Sequence, residues 1–369
     1  TSDRQHTLNL FALDTTSGET RQVTDLDEYD VLWPSLGPDA IVFMNGGYLY
    51  RLDLATEEIG KIPVTVTNDL PSTMPRWVEV SDDVAAADLS PDGKRAVFEA
   101  RGDLFSVPAK NGATRNLTNT QGVRESSPAW SPDGRTIAYY SDASGEMELY
   151  VRAQDGKDEP RQLTENSQAW RYPPIWSPDS KKLAYSDSNS QLYIIDVASG
   201  SITEVDKGRQ GDLDTFRWAP GSEWLIYETT HPETEQQVLA LYSLENSTVY
   251  LLGDGLTVDY NPVFSTDGKY LFFQSDRDYN LNFSDFEFNF VYDNASRIYV
   301  AALEPGVEHL YPTESDEVEI AEDEDGAGEA EADNEEESES PAVTVSAEGI
   351  ANRVFALPGI EPGNYGALS

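Results

Sequence analysis

Few residues of this chain have a capacity for chemistry. Three histidines, His6, His231 and His309, are the only side chains that titrate near neutral pH without help, and they lie far apart in the sequence. Cysteine is absent, which excludes disulfides, thiolate nucleophiles and thiolate metal sites. Serines are common, but there is no Gly-x-Ser-x-Gly elbow, no His-Glu-x-x-His pair and no Gly-x-x-x-x-Gly-Lys-Ser/Thr phosphate loop. No catalytic residue, cofactor or metal is therefore assigned. Asp92, Asp133, Asp179 and Asp267 recur at similar intervals and invite a calcium reading. Each is the third residue of a Ser-Pro-Asp-Gly-like tetrapeptide, however, and there a short carboxylate bonds its own backbone.

That tetrapeptide defines the elements. It reads SPDG at Ser90 and Ser131, SPDS at Ser177, APGS at Ala219 and STDG at Ser265, in steps of 41 to 46 residues. Within one unit, Pro128-Ala129-Trp130 ends a short strand, and the turn leads into Thr136–Tyr140, rich in β-branched and aromatic residues. Met147–Val151 and Arg161–Thr164 supply two more strands. Four short strands repeated at this period predict an all-β fold, a β-propeller of four-stranded antiparallel blades. Trp130, Trp176, Trp218 and Phe264 hold one slot in successive units and read as packing between blades.

Five good units are expected between about residues 76 and 310. Leu32–Val64 reads as a nearly complete earlier unit with a degraded turn, and Leu8–Thr24 as the last two strands of another. Pro63, Pro71 and Pro75 fall in the widened gap, so a boundary is placed at residues 67–75. The expected organisation is residues 1–70 as the last blades of one propeller and 71–313 as five blades of a second. An acidic insertion, disordered by composition, follows over 314–341, and 342–369 would open a further blade. Ala342–Val345 and Arg353–Leu357 are its expected strands.

The formal net charge is −42, from 25 basic and 67 acidic residues. Such a field repels nucleic acid and anionic lipid, and no apolar run is long enough to span a bilayer. Glu314–Ser340 holds fifteen acidic residues and no basic one, yet the rest of the chain stays strongly acidic and poor in lysine. That composition fits a high-salt proteome, where screening suppresses self-repulsion.

In a propeller, the loop leading into each innermost strand lies at the mouth of the central channel. Here those loops carry Arg124 and Glu125, Trp170 and Arg171, Asp212 and Asp214, and Asp259 and Tyr260. A ring of Arg124, Glu125, Trp170, Arg171, Asp214 and Asp259 could filter a peptide by charge and width. The alternative for any one of them is a solvated loop without a ligand.

The stretch RNLTNTQGVRESSPAWSPDGRTIAYYSDASGEMELYVRAQDGKDEPRQLT resembles the second propeller of tricorn proteases, as does the Phe/Asp/Asn-rich segment from Asn282 to Val300. The ending EGIANRVFALPGIEPGNYGAL is similar to the segment that follows the family's variable acidic loop. The resemblance covers nearly the whole chain and implies a six-bladed first and a seven-bladed second propeller, both incomplete here. It also implies a cytoplasmic serine peptidase that trims oligopeptides, with catalytic residues in C-terminal domains beyond a PDZ-like module, assembled as a homo-hexamer. On that reading these blades gate and channel oligopeptides. The alternatives are a non-enzymatic TolB-like periplasmic binding propeller and the lid of a prolyl-oligopeptidase-like enzyme.

Overall fold

The computed structural model describes residues 1–67, 73–74, 76–278, 281–307, 310–311 and 343–368. The acidic insertion and His309 lie outside the described residues. The chain divides into two compact units, Thr1–Val78 and Glu79–Ser369.

The second unit is five four-stranded antiparallel sheets in sequence. Their strands are Val84–Leu89, Arg95–Ala100, Asp103–Pro108 and Arg115–Asn116; Glu125–Trp130, Thr136–Ser141, Glu148–Ala153 and Arg161–Gln162; Ile175–Trp176, Lys182–Ser186, Gln191–Asp196 and Ile202–Lys207; Phe216–Trp218, Trp224–Thr230, Gln237–Ser243 and Thr248–Leu252; and Asp259–Phe264, Tyr270–Ser275, Arg297–Ala302 and Val354–Ala356. First strands of the first and second, second and third, and fourth and fifth sheets touch one another, and the Trp130 amide donates to Asp88 Oδ2 at 2.6 Å. The fourth strand of each sheet is the edge opposite its first. This is the blade arrangement of a β-propeller.

The repeated tetrapeptide closes the turn between first and second strands by one mechanism. Ser Oγ donates to Asp Oδ1 two residues on: Ser90 to Asp92 at 2.8 Å, Ser131 to Asp133 at 2.6 Å, Ser177 to Asp179 at 2.5 Å and Ser265 to Asp267 at 2.6 Å. The same Oδ1 accepts a backbone N–H, from Lys94, Arg135, Lys181 and Lys269 in turn. These carboxylates are turn locks. The fourth position is left-handed, at φ 73° for Gly134 and 59° for Ser180. Where serine replaces glycine there, its hydroxyl reaches the preceding turn: Ser180 Oγ accepts from the Asp133 amide and Ser222 Oγ from the Asp179 amide, each at 3.0 Å.

Between sheets the apolar faces interlock. Val97, Leu104 and Leu117 of the first sheet meet Trp130, Ile137 and Tyr139 of the second, and three similar cores follow. Trp176 Nε1 donates to Ala129 O at 3.0 Å and Trp218 Nε1 to Ile175 O at 3.3 Å. The tryptophan slot is thus inter-blade packing; the Trp176 and Trp218 indoles donate to the preceding blade, whereas Trp130 Nε1 donates to Gly134 O of its own turn at 3.1 Å.

The C-terminal part differs from expectation. Val354–Ala356 does not begin a new sheet; it pairs with Arg297–Ala302 as the outer strand of the fifth blade. The chain leaves that blade after its third strand and returns beyond the acidic insertion to complete it. Of the expected strand Ala342–Val345, Ala342 lies outside the described residues and Val343–Val345 is not a strand. Val343 is buried against Gly268 and the core between the fourth and fifth sheets, a position that filling, rather than pairing, explains. An added hairpin, Leu281–Ser284 with Asn289–Tyr292, lies between the blade's second and third strands, within the Phe/Asp/Asn-rich region.

In the first unit, Leu32–Leu36, Ala40–Asn45, Tyr48–Asp53 and Ile59–Lys61 form a complete four-stranded sheet. Phe11–Leu13 pairs with Thr20–Gln22, and Ser2–Gln5 with Thr7–Asn9. Leu10, Val31, Phe43 and Leu52 are its buried core.

Candidate functional site

The loops leading into the inner strands hold two kinds of side chain. Glu125, Arg171 and Asp259 share one register position, opposite Ser141, Asp187 and Ser275 at the end of the second strand. Alternation along the strand turns this position into the blade, so none of the three forms part of an exposed ring. Arg171 forms a buried ion pair with Glu148, Nη1 to Oε2 at 2.9 Å, and also bonds Thr164 Oγ1. Glu148 is 1% exposed, and it further accepts from Thr164 Oγ1 at 2.6 Å and from the Ser167 amide at 2.5 Å. Asp259 is equally buried and pairs with Arg277 Nη2 at 2.7 Å, whose guanidinium lies over Phe273 and Tyr299. Burial pushes the Asp259 carboxyl above its usual range, with Arg277 pulling the other way. Glu125 is also raised by burial; Thr120 Oγ1 donates to its Oε1 at 2.6 Å.

The alternate positions face solvent. Arg124 is exposed, with Nη2 4.0 Å from Glu99 Oε1 and its amide on Asp142 Oδ1. Trp170 is 56% exposed, held by backbone bonds to Ser188. Asp214 is exposed, and Asp212 accepts from Tyr172 Oη. Tyr260 is half-buried, its hydroxyl 2.7 Å from Ser296 Oγ. Arg124, Trp170, Asp212 and Asp214 therefore form the accessible set on these loops, cationic and aromatic in the second and third blades and acidic in the fourth. Such a set can bind or repel charged and aromatic groups of an extended chain; it holds no nucleophile paired to a base. His231 Nδ1 accepts from the Glu233 and Thr234 amides at 3.3 Å and so serves its turn. His6 sits in a turn at φ 72°.

A second position escaped the sequence reading. In the first, second and fourth blades a residue near the end of the second strand reaches the inner strand of the next blade or the loop leading into it: Glu99 Oε2 accepts from the Ser127 amide at 3.0 Å, Tyr140 Oη donates to Tyr172 O at 2.9 Å, and Glu228 Oε1 accepts from the Asn261 amide at 2.7 Å. Ser127 and Asn261 lie in left-handed bulges, φ 51° and 52°, whose amides are turned out of the ladder. Gln274 Nε2 extends the series to Gly366 O. A sequence signal is clear only at Glu99, a charged residue between Phe98 and Ala100 within a strand.

Blade geometry makes the chain a β-propeller, and among the described residues the loops leading into its inner strands hold no nucleophile paired to a base. The profile of the tricorn protease second beta propeller domain matches residues 84–369, so the chain belongs to that family. A tricorn protease homolog of Saccharolobus solfataricus is 24% identical over 303 residues, covering 82% of this chain and 27% of that protein. Tricorn protease homolog 1 of Streptomyces coelicolor is 24% identical, covering 100% of this chain and 34% of that protein. The crystal structure of the tricorn protease superposes with TM-score 0.64 at 18% identity, over 99% of this chain and 33% of that one. The chain thus spans about a third of the length of these relatives.

Proposed function

We propose that this chain is the propeller region of a tricorn-type serine peptidase, in which the blades gate oligopeptides on their way to catalytic domains elsewhere in a longer polypeptide. The observation that carries this reading is the family match over residues 84–369 on a fold whose loops expose binding groups without a nucleophile. Its partners are oligopeptides and the PDZ-like and catalytic domains of the same protein, in a homo-hexamer in the cytoplasm. No helix among the described residues is long and apolar enough to cross a membrane.

The test has two parts. This chain alone is expected to cleave no fluorogenic peptide; hydrolysis blocked by a serine-directed inhibitor overturns the assignment of chemistry. In the full-length peptidase, Trp170→Ala and Asp214→Lys are expected to alter kcat/KM for decapeptides while leaving that for a dipeptide-sized amide unchanged. Equal effects on both substrates would refute gating by these loops.

A further inference from the structure

Neighbouring blade interfaces can be compared position by position. Between the second and third blades, Glu148 stands opposite Ser141 and is paired with Arg171 of the next inner strand. One interface earlier, Asp103 stands opposite Ala100 in the place of Glu148, and Glu125 stands in the place of Arg171. A carboxylate therefore faces a carboxylate where the next interface has an ion pair. Thr118 takes the place of Thr164, its Oγ1 3.4 Å from Asp103 Oδ1. Glu125 is 1% exposed, and its Oε2 has no hydrogen-bond partner.

The same residue lines a cavity of about 380 Å³ between the first and second blades. Arg152, 8% exposed, also lines it; its Nη2 donates to Gly156 O at 2.8 Å while Nε has no partner. Tyr139, Tyr150, Asn119 and Thr120 supply further wall. Glu125 and Arg152 thus both line one pocket, and their unpartnered atoms, a carboxylate oxygen and a guanidinium N–H, do not satisfy each other. Each buried charged group left unpaired is unfavourable. One small molecule carrying both charges offers a partner to each.

We propose that this inter-blade pocket binds a small zwitterion, an α-amino acid or short peptide, with its ammonium on Glu125 and its carboxylate at Arg152. Asp103 adds negative field at the ammonium end. The site is lateral to the channel loops and does not depend on the gating reading. Titration calorimetry on this chain tests it with four probes: L-leucine, the dipeptide Leu-Gly, the cation leucinamide and the anion 4-methylpentanoate. Saturable binding of leucine or Leu-Gly is expected, with both singly charged analogues at least about tenfold weaker. The stronger of the two zwitterions reports the charge separation the pocket accepts. Glu125→Gln is expected to weaken the zwitterion at least about tenfold and to narrow its margin over 4-methylpentanoate. Arg152→Gln is expected to narrow the margin over leucinamide instead. Asp103→Asn, remote from the Arg152 side, should weaken zwitterion and leucinamide alike, which separates loss of charge from loss of fold. No saturation by either zwitterion up to ~10 mM, or leucinamide binding the parent as tightly as leucine, overturns the proposal.

Discussion

Arg171→Met is the sharpest test of how these blades are joined. The substitution keeps an unbranched side chain of similar reach but removes the cation bonded to Glu148, leaving a carboxylate 1% exposed with, among the described residues, Thr164 Oγ1 and the Ser167 amide as donors. Removing one member of a buried ion pair costs about 3–5 kcal/mol, because the remaining charge keeps its desolvation penalty. For a unit of this size each kcal/mol moves Tm by ~2–4 °C, so a fall on the order of 10 °C is expected. Glu148→Gln together with Arg171→Met removes both charges while Gln Oε1 can still accept the Ser167 amide. The double variant should therefore recover at least half of the loss. Urea melts of the two single variants and the double variant measure the cycle, and amide exchange localises it to the second and third blades. A single variant within ~1 kcal/mol of the parent, or a double variant no better than Arg171→Met, would refute the claim that this buried pair fastens the interface.

Trp176→Phe keeps most apolar contact but leaves Ala129 O without the indole donor, so a loss of about 1 kcal/mol by urea melt is expected; Trp170→Ala, at an exposed site, should stay within ~0.5 kcal/mol. The acid-rich charge of −42 predicts unfolding midpoints that climb from low to molar KCl, and a flat series would sink that expectation. Glu125→Gln bears on pH. Burial raises the native pKa of Glu125 above its unfolded value, so the native state holds more protons in that window and the residue's contribution worsens as pH rises through it. The variant should therefore gain on the parent at pH 8 and lose that advantage by pH 4; parallel pH curves would contradict it.

Much of the fold was legible because the turn chemistry is local. Ser, Pro, Asp and Gly at fixed offsets specify a backbone by hydrogen bonds within five residues, and those bonds recur in blade after blade. The strands around them alternate in a simple period. Val354–Ala356 was legible as a strand but not as the outer strand of the fifth blade, because its partner Arg297–Ala302 lies across the acidic insertion. Val343–Val345, within the expected strand Ala342–Val345, is not a strand for a related reason. Its β-branched residues satisfy a strand propensity that the buried turn at Gly268 overrides by offering an apolar slot.

The channel loops show where sequence reasoning stops. Adjacent residues such as Trp170 and Arg171 are equivalent on the page, yet one faces solvent and the other is sealed against Glu148. Only the register with Asp187 decides which is which. The same register explains why position 125 differs from position 171 in consequence. An arginine there meets an acid and fastens two blades, whereas a glutamate meets Asp103 and leaves a charged pocket. Repetition of the backbone thus fixes where a side chain points, and divergence of one residue within the repeat decides whether that place joins blades or becomes available to a ligand. In a chain whose blades all fold alike, chemical individuality must be sought at the interfaces where equivalent positions carry opposite charge.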